Sequence, residues 1–370
     1  MKSQSLKIII SGGGTGGHIF PALAIADALK ARKSETEILF IGAQGRMEME
    51  RVPKAGYPIK GLWISGFQRS FSFTNLLFPF KLIHSLLTAY KVIKTFKPDV
   101  VIGVGGYASG PTLRVAVQLS IPTLIQEQNS FPGITNRILG KKVNRICVAY
   151  DNMEKWFPAE RTVLTGNPLR KASVDVTGKR LEAISYFNLN EEHPVVLIIG
   201  GSQGALAINK ALVAKMNELQ SQPLQLIWQT GSTFLKTANE QIVSNGLSTK
   251  IKALAFIDRM DLAYSVADLI VSRAGAMSIA EISYVAKPAI LIPLPSAAED
   301  HQTKNAMRLV EKNAARQIRN ENASEQLIPQ IIDTLNDTAA CNEMRKNIKR
   351  FAQPEATNLI VDELLKLAQS

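Results

Sequence analysis

Seven residues near the N-terminus, Gly12-Gly13-Gly14-Thr15-Gly16-Gly17-His18, have the composition of a ligand loop. They follow the apolar run Ile8-Ile9-Ile10 and precede an Ala/Leu-rich stretch, so the pattern predicts strand, tight turn and helix. Glycine permits the turn and a close approach of backbone to ligand. A helix N-terminus points backbone N–H groups and a positive dipole end at the same place. An anionic guest suits such a loop. A P-loop is excluded, because that motif needs lysine after the last glycine and His18 stands there. Gly12-x-Gly14-x-x-Gly17 matches the dinucleotide fingerprint, but that fingerprint needs an acid at the end of the second strand. Here "EILFIGAQG" ends in Ala43 and Gln44, and Glu35 and Glu37 lie at its other end. A tight turn with no ligand fits the same residues.

The elements around this loop alternate. "EILFIG", "PDVVIGVGG", "IPTLIQEQN", "RICVAY" and "RTVLTGN" read as strands separated by helical stretches, the first helix running from about Ile19 to Ala31. The pattern restarts at "HPVVLIIGGSQGALAINKAL", a strand, a second glycine turn and an Ala/Leu helix. "LQLIWQTG" and "DLIVSRAGAMSIAEISYVAKPAILIPLP" continue it, and the tail from Glu299 reads as helical. Strands alternating with helices mean βαβ units and parallel sheets. The class is therefore α/β with two similar halves, joined near "TGNPLR" (residues 165–170), whose loops line a shared cleft suited to joining two substrates.

Length and composition agree. At 370 residues, 46% of them hydrophobic, the chain can build two ordinary cores. Cys147 and Cys341 are far apart and the four histidines form no ligand pair, so neither disulfide nor metal is expected. The N-terminal apolar run is too short for a signal peptide, and no stretch approaches the roughly 20 apolar residues of a membrane span. The net charge of +12 is concentrated: residues 51–145 hold thirteen Lys/Arg against Asp99 and Glu127, which is +11. That region is built to meet something anionic.

"GGGTGGH", "GVGGYASGP", "EQNSFPGITNR", "TGNPLR", "GGSQGA", "SRAGAMSIAE" and "EDHQTKNA" occur in this order between Ile8 and about Asn305. Together they resemble the MurG-type glycosyltransferases. The resemblance implies a GT-B fold, two Rossmann-like parallel-sheet domains facing a cleft, without a dinucleotide or other cofactor. It implies an acceptor domain over 1–166, a donor domain over 167–345, and a C-terminal helix, 346–370, returning to the first. The implied reaction is inverting transfer of N-acetylglucosamine from UDP-GlcNAc to the 4-hydroxyl of the muramoyl sugar of undecaprenyl-diphosphate-linked lipid I. The implied location is the cytoplasmic face of the bacterial inner membrane, held peripherally. One departure is that members often carry histidine where this chain has Gln126.

The resemblance also assigns residues. Glu281 would hold the ribose diol, since a carboxylate accepts from two adjacent hydroxyls; by itself it reads equally as a helix-dipole glutamate. Ser202 and Arg170 would meet the donor diphosphate, or be merely an N-cap and a surface charge. Ile257 matches a uracil contact through its backbone, and Gln302 a contact to the GlcNAc hydroxyls. Thr15, Gly16, Gly17 and Asn129, with Ala276, Met277, Ser278, Ile279 and Ala280 before Glu281, complete the donor set. His18 and Glu127 are the candidates for the base that inverting transfer requires. His18 is favoured, because a helix N-terminus favours neutral imidazole.

"FSFTNLLFPFKLIHSLLTAYKVIKTFK" (residues 71–97) is the other informative stretch. Leu76, Phe80, Ile83, Leu87 and Tyr90 share one helical face, with Lys81, His84, Thr88 and Lys91 on another. Leu76, Leu77, Phe78, Phe80 and Lys81 are the expected contacts to an anionic membrane surface, although an ordinary core helix with a basic face has the same pattern. Two further functions fit parts of the sequence: a related transferase with a diacylglycerol-type acceptor, and a non-catalytic nucleic-acid-binding protein. The second lacks the interleaved aromatic and arginine residues it would need, so no nucleic-acid partner is expected.

Overall fold

The computed structural model describes residues 5–65, 77–200, 205–295 and 300–369, which form two compact units. The first comprises Met1–Arg170 and Gln353–Ser370, and the second Lys171–Ala352.

The first unit runs β1 (Lys7–Ser11), α1 (Gly16–Arg32), β2 (Glu37–Ala43), α2 (Glu48–Lys54), β3 (Ile59–Leu62), α3 (Phe78–Phe96), β4 (Val100–Gly103), α4 (Ser109–Gln118), β5 (Thr123–Glu127), α5 (Ile134–Leu139), β6 (Arg145–Val148) and β7 (Thr162–Leu164). All seven strands are parallel, in the order β3-β2-β1-β4-β5-β6-β7. The apolar run of β1 is continuous because both faces of its sheet are covered. Ile8 and Ile10 pack with α1 residues such as Ile19 and Leu23, whereas Ile9 points the other way, toward Ala89 and Ile93 of α3 and Leu113 of α4.

The second unit begins with α6 (Lys171–Val174) and α7 (Arg180–Phe187). It continues β8 (Val195–Ile199), α8 (Leu206–Ala214), β9 (Gln225–Gln229), α9 (Leu235–Ser244), β10 (Ile251–Leu254), α10 (Met260–Val266), β11 (Leu269–Ser272), α11 (Ala276–Val285) and β12 (Ala289–Leu291). Then come α12 (His301–Val310), β13 (Arg316–Gln317), α13 (Ala323–Asn336) and α14 (Thr338–Ile348). Its sheet is parallel, ordered β10-β9-β8-β11-β12-β13. The tail expected to be wholly helical thus contributes the edge strand β13, whose two residues are too few to show a period in the sequence. The last helix, α15 (Ala356–Leu367), belongs to the first unit, where Ile360, Val361 and Leu364 are fully buried against α1 and the β1 face.

In each sheet the strand order reverses once, between β1 and β4 and between β8 and β11. Ligands of open α/β sheets bind outside the carboxyl ends of the strands at that reversal. The first glycine loop follows β1 and so sits at such a reversal.

Candidate active site

In the first unit the loop after β1 meets the loop after β4. Gly106 lies so close that a Cβ there would come 2.2 Å from the Gly13 carbonyl oxygen, and its φ of +85° favours glycine as well. Helix α1 opens at Gly16, one turn before the expected Ile19, with Thr15 as its extended N-cap residue. His18 therefore sits in the first turn, and its ring folds back so that Nδ1 is 3.1 Å from the Gly13 carbonyl oxygen. A carbonyl only accepts, so Nδ1 carries the hydrogen and Nε2 is left with its lone pair. The Nε2 edge fills the space that a side chain at Gly105 would take, 2.8 Å from that Cβ position. Burial pushes the imidazole below its ordinary pKa, opposed by the Gly13 bond and the charge of Glu48. In this arrangement His18 is a neutral imidazole whose Nε2 has no hydrogen-bond partner among the described residues.

Glu48, at the start of α2, was not singled out by the sequence. It is buried beneath the glycine loop, where Oε2 accepts from the Gly14 N–H at 2.9 Å and Oε1 from the Ala43 N–H at 2.9 Å. This limits the expectation of an anionic guest at the first loop, because the Gly14 N–H already serves a carboxylate.

Glu127 ends β5 and is buried. Oε1 accepts from the Asn129 N–H at 3.0 Å and from Asn129 Nδ2 at 3.2 Å, and Oε2 from the Gly133 N–H at 3.1 Å and Asn136 Nδ2 at 2.9 Å. Burial raises its pKa while these four donors pull it back. Both oxygens are thus committed to shaping residues 129–136, so the second base candidate is a loop organiser in this arrangement. Asn129 is drawn into the same network. Gln126, at the family's histidine position, is buried and bonded to Asn167 and Gln128.

Arg170 also lies in the first unit. Its Nε donates to Asp27 Oδ2 of α1 at 2.9 Å, and Tyr57 donates to the other oxygen at 2.8 Å. A diphosphate would have to compete with that ion pair for the guanidinium.

In the second unit α11 begins behind Gly275, with no side-chain cap and no acid in its first turn, a terminus open to an anion. Ala276 and Ile279 are buried, and Met277, Ser278 and Ala280 are partly exposed. Glu281 follows one turn on. Burial lifts its carboxyl to about 7, and the Tyr264 hydroxyl, donating to Oε2 at 2.8 Å, pulls it down. Ile257 is buried, and its N–H donates to Gln229 Oε1 at 3.2 Å, so a uracil contact through that amide requires exchange with Gln229. Gln302 Oε1 accepts from the Leu294 N–H at 3.0 Å. Ser202 lies outside the described residues. Tyr264 and Gln229, which pack behind two predicted contacts, gave no signal in the sequence because buried polar residues look like any others until their partners are known. Among the described residues no three His, Cys, Asp or Glu side chains cluster in a way that could hold a metal ion.

On α3 the inner line is Ser85, Ala89 and Ile93, fully buried, flanked by Phe78, Leu82 and Leu86 packed on the core. Phe80, Ile83, Leu87 and Tyr90 remain 48–66% exposed, and Leu77 47%. The apolar face is therefore a surface stripe. Phe78 differs from expectation, because it lies on the i+4 line with Leu82 and turns inward. Lys81 is drawn to Ser65, at 3.1 Å, and lies over the Trp63 ring. Leu76 lies outside the described residues. No helix among those described is long and apolar enough to cross a membrane.

Two Rossmann-like parallel-sheet units, the first with a glycine loop at its strand reversal and no acid at the end of β2, have the architecture of the GT-B class. Residues 8–148 match the glycosyltransferase family 28 N-terminal domain and residues 195–360 the family 28 C-terminal domain. The chain is 50% identical over 364 residues, 98% of each chain, to UDP-N-acetylglucosamine–N-acetylmuramyl-(pentapeptide) pyrophosphoryl-undecaprenol N-acetylglucosamine transferase of Christiangramia forsetii. It is 49% identical to the transferase of the same name from Flavobacterium psychrophilum, over 99% of each. The crystal structure of Acinetobacter baumannii MurG superposes with a TM-score of 0.74 at 31% identity, covering 98% of this chain and 99% of that one. The chain belongs to glycosyltransferase family 28 and, within it, to the MurG-type transferases.

Proposed function

We infer that this protein moves N-acetylglucosamine from UDP-GlcNAc to the 4-hydroxyl of the muramoyl sugar of lipid I, forming lipid II for peptidoglycan. The observation that carries this reading is the identity of half the residues, over nearly the whole of both chains, with relatives bearing that transferase's name. The acceptor is assigned to the first unit and UDP-GlcNAc to the second. His18 is the base: as the acceptor oxygen attacks the anomeric carbon, Nε2 takes its proton, and the bond to the β-phosphate oxygen breaks with its electron pair leaving on UDP. The configuration inverts in one displacement. The N-terminus of α11 is assigned to the diphosphate, with Ser202 its further contact by the family resemblance, Glu281 takes the ribose diol, and Ile257 and Gln302 meet the uracil and the sugar.

Peripheral attachment at the cytoplasmic face of the inner membrane follows from a lipid-borne acceptor. The exposed stripe of α3 beside lysines is the surface for it. Formation of labelled lipid II from labelled UDP-GlcNAc and lipid I tests the reaction. Transfer to diacylglycerol with none to lipid I would overturn it in favour of the other lipid acceptor.

A further inference from the structure

We propose that Glu48 is a positioning residue for His18, acting on the imidazole through the single peptide group that joins Gly13 to Gly14. This rests on the reading of His18 as the base. The N–H of that peptide donates to Glu48 Oε2 at 2.9 Å, and its carbonyl accepts the Nδ1–H of His18 at 3.1 Å. Carboxylate, peptide and imidazole thus form one chain of hydrogen bonds, in which each bond polarises the next. A negative charge on the N–H side makes the carbonyl a better acceptor, holds the hydrogen on Nδ1 and strengthens the lone pair on Nε2.

The packing is specific to this arrangement. A Cβ at Gly13 would come 2.1 Å from Glu48 Oε1, and one at Gly42 would come 2.5 Å from Glu48 Cγ, so glycines at both positions make room for the side chain. The second oxygen is anchored on the Ala43 N–H, which prevents the carboxylate from turning away. The Thr15 hydroxyl is 3.4 Å from Nδ1, and the ring packs against Gly105. Among the described residues Glu48 is the charged group whose field acts on the imidazole.

The interposed peptide also has chemical sense. A carboxylate bonded directly to Nδ1 would raise the imidazole pKa more than one acting through a peptide. Acting through a peptide, it fixes the tautomer and still leaves a neutral base. The first glycine loop is then a device for aiming a histidine, and its central amide is spent on that rather than on a phosphate.

Nitrogen-15 histidine NMR of the whole protein, with His18→Ala to assign the signal, reads the tautomer directly. The wild type should show His18 with hydrogen on Nδ1. In Glu48→Gln, where both amides lose an anionic partner and one of them faces an NH2 group, the tautomers should mix. The acid limb of the kcat–pH profile should move down by roughly half a unit, because the base is weaker. Its plateau should fall about tenfold with the KM for UDP-GlcNAc within twofold. Glu48→Asp, which keeps the charge, should hold the acid limb near wild type. A wild-type His18 with hydrogen on Nε2 overturns the proposal, and so does a folded Glu48→Gln protein with unshifted tautomer and acid limb. Should Glu48→Gln fail to fold, the wild-type tautomer and the Glu48→Asp profile decide alone. Normal kcat in His18→Ala would instead overturn the base reading, and it would do so whatever the tautomer proves to be.

Discussion

His18, in the first turn of α1, and Glu127, at the end of β5, are both titratable groups of the first unit, but their surroundings divide them. Nε2 of His18 keeps its lone pair, whereas both oxygens of Glu127 are occupied by four donors. His18→Ala should lower kcat by roughly 10²- to 10⁴-fold, the usual range for a general base, with UDP affinity unchanged. Glu127→Gln should retain more activity than that, since it keeps the shape and one acceptor oxygen. Single-turnover transfer rates check both, and the reverse ranking would exchange the roles. Glu281 presents a different conflict. In the role proposed for it, a diol is held best by the carboxylate, yet burial lifts its pKa to about 7. Ligand binding should therefore release protons, and UDP affinity should weaken as pH falls below 7, by up to tenfold per unit. Titration calorimetry of wild type against Glu281→Gln separates this from the titration of the nucleotide's own phosphate. The sign for stability is opposite. Because the folded pKa lies above the ordinary 4.5, the ligand-free fold loses stability as pH rises from 4.5 toward 7. Glu281→Gln should thus raise the ligand-free melting temperature at pH 8, by up to roughly 3 kcal/mol of stability, while lowering affinity.

Helix α3 carries its own prediction. Ile83→Ser with Leu87→Ser removes two exposed side chains, so binding to phosphatidylglycerol vesicles should weaken at low salt while the melting temperature stays put. Phe78→Ser should do the reverse, lowering stability by about 2 kcal/mol or more because its ring packs on the core. Vesicle sedimentation and thermal melts distinguish them, and unchanged vesicle binding in the double variant would remove α3 from the membrane contact. This helix also marks how far sequence could go. The apolar face from Phe80 to Tyr90 was legible as a 3.6-residue period, but whether it met core or solvent was not, since both faces of α3 carry large apolar residues. Strands β1, β4, β8 and β11 were legible because double-sided burial makes them continuous apolar runs. The glycine loop announced itself, but its partner Glu48 lies 34 residues on, and no local period connects an acid in α2 with an amide after β1.

The chain enters the second unit at Lys171 and leaves it at Ala352, returning to the first for its last helix. Ile360, Val361 and Leu364 of α15 are fully buried in the first unit, Glu363 pairs with Arg145 at 3.2 Å, and the Thr357 hydroxyl accepts from the Leu169 N–H at 3.0 Å. Three such aliphatic side chains are worth roughly 5 kcal/mol or more, comparable to the whole stability of a domain. Deleting residues 353–370 should therefore open the first unit to protease and hydrogen exchange while the second still binds UDP. Protection in both units would show that α15 is dispensable. The route of the chain has a consequence for how the protein is made. Synthesis delivers the second unit complete while the first still lacks α15, which follows it in the chain. The second unit can close its own core before the face of β1 that packs on α15 is sealed. Until then that face is a stretch of bare aliphatic surface, and a chaperone would be expected to wait there rather than on the second unit.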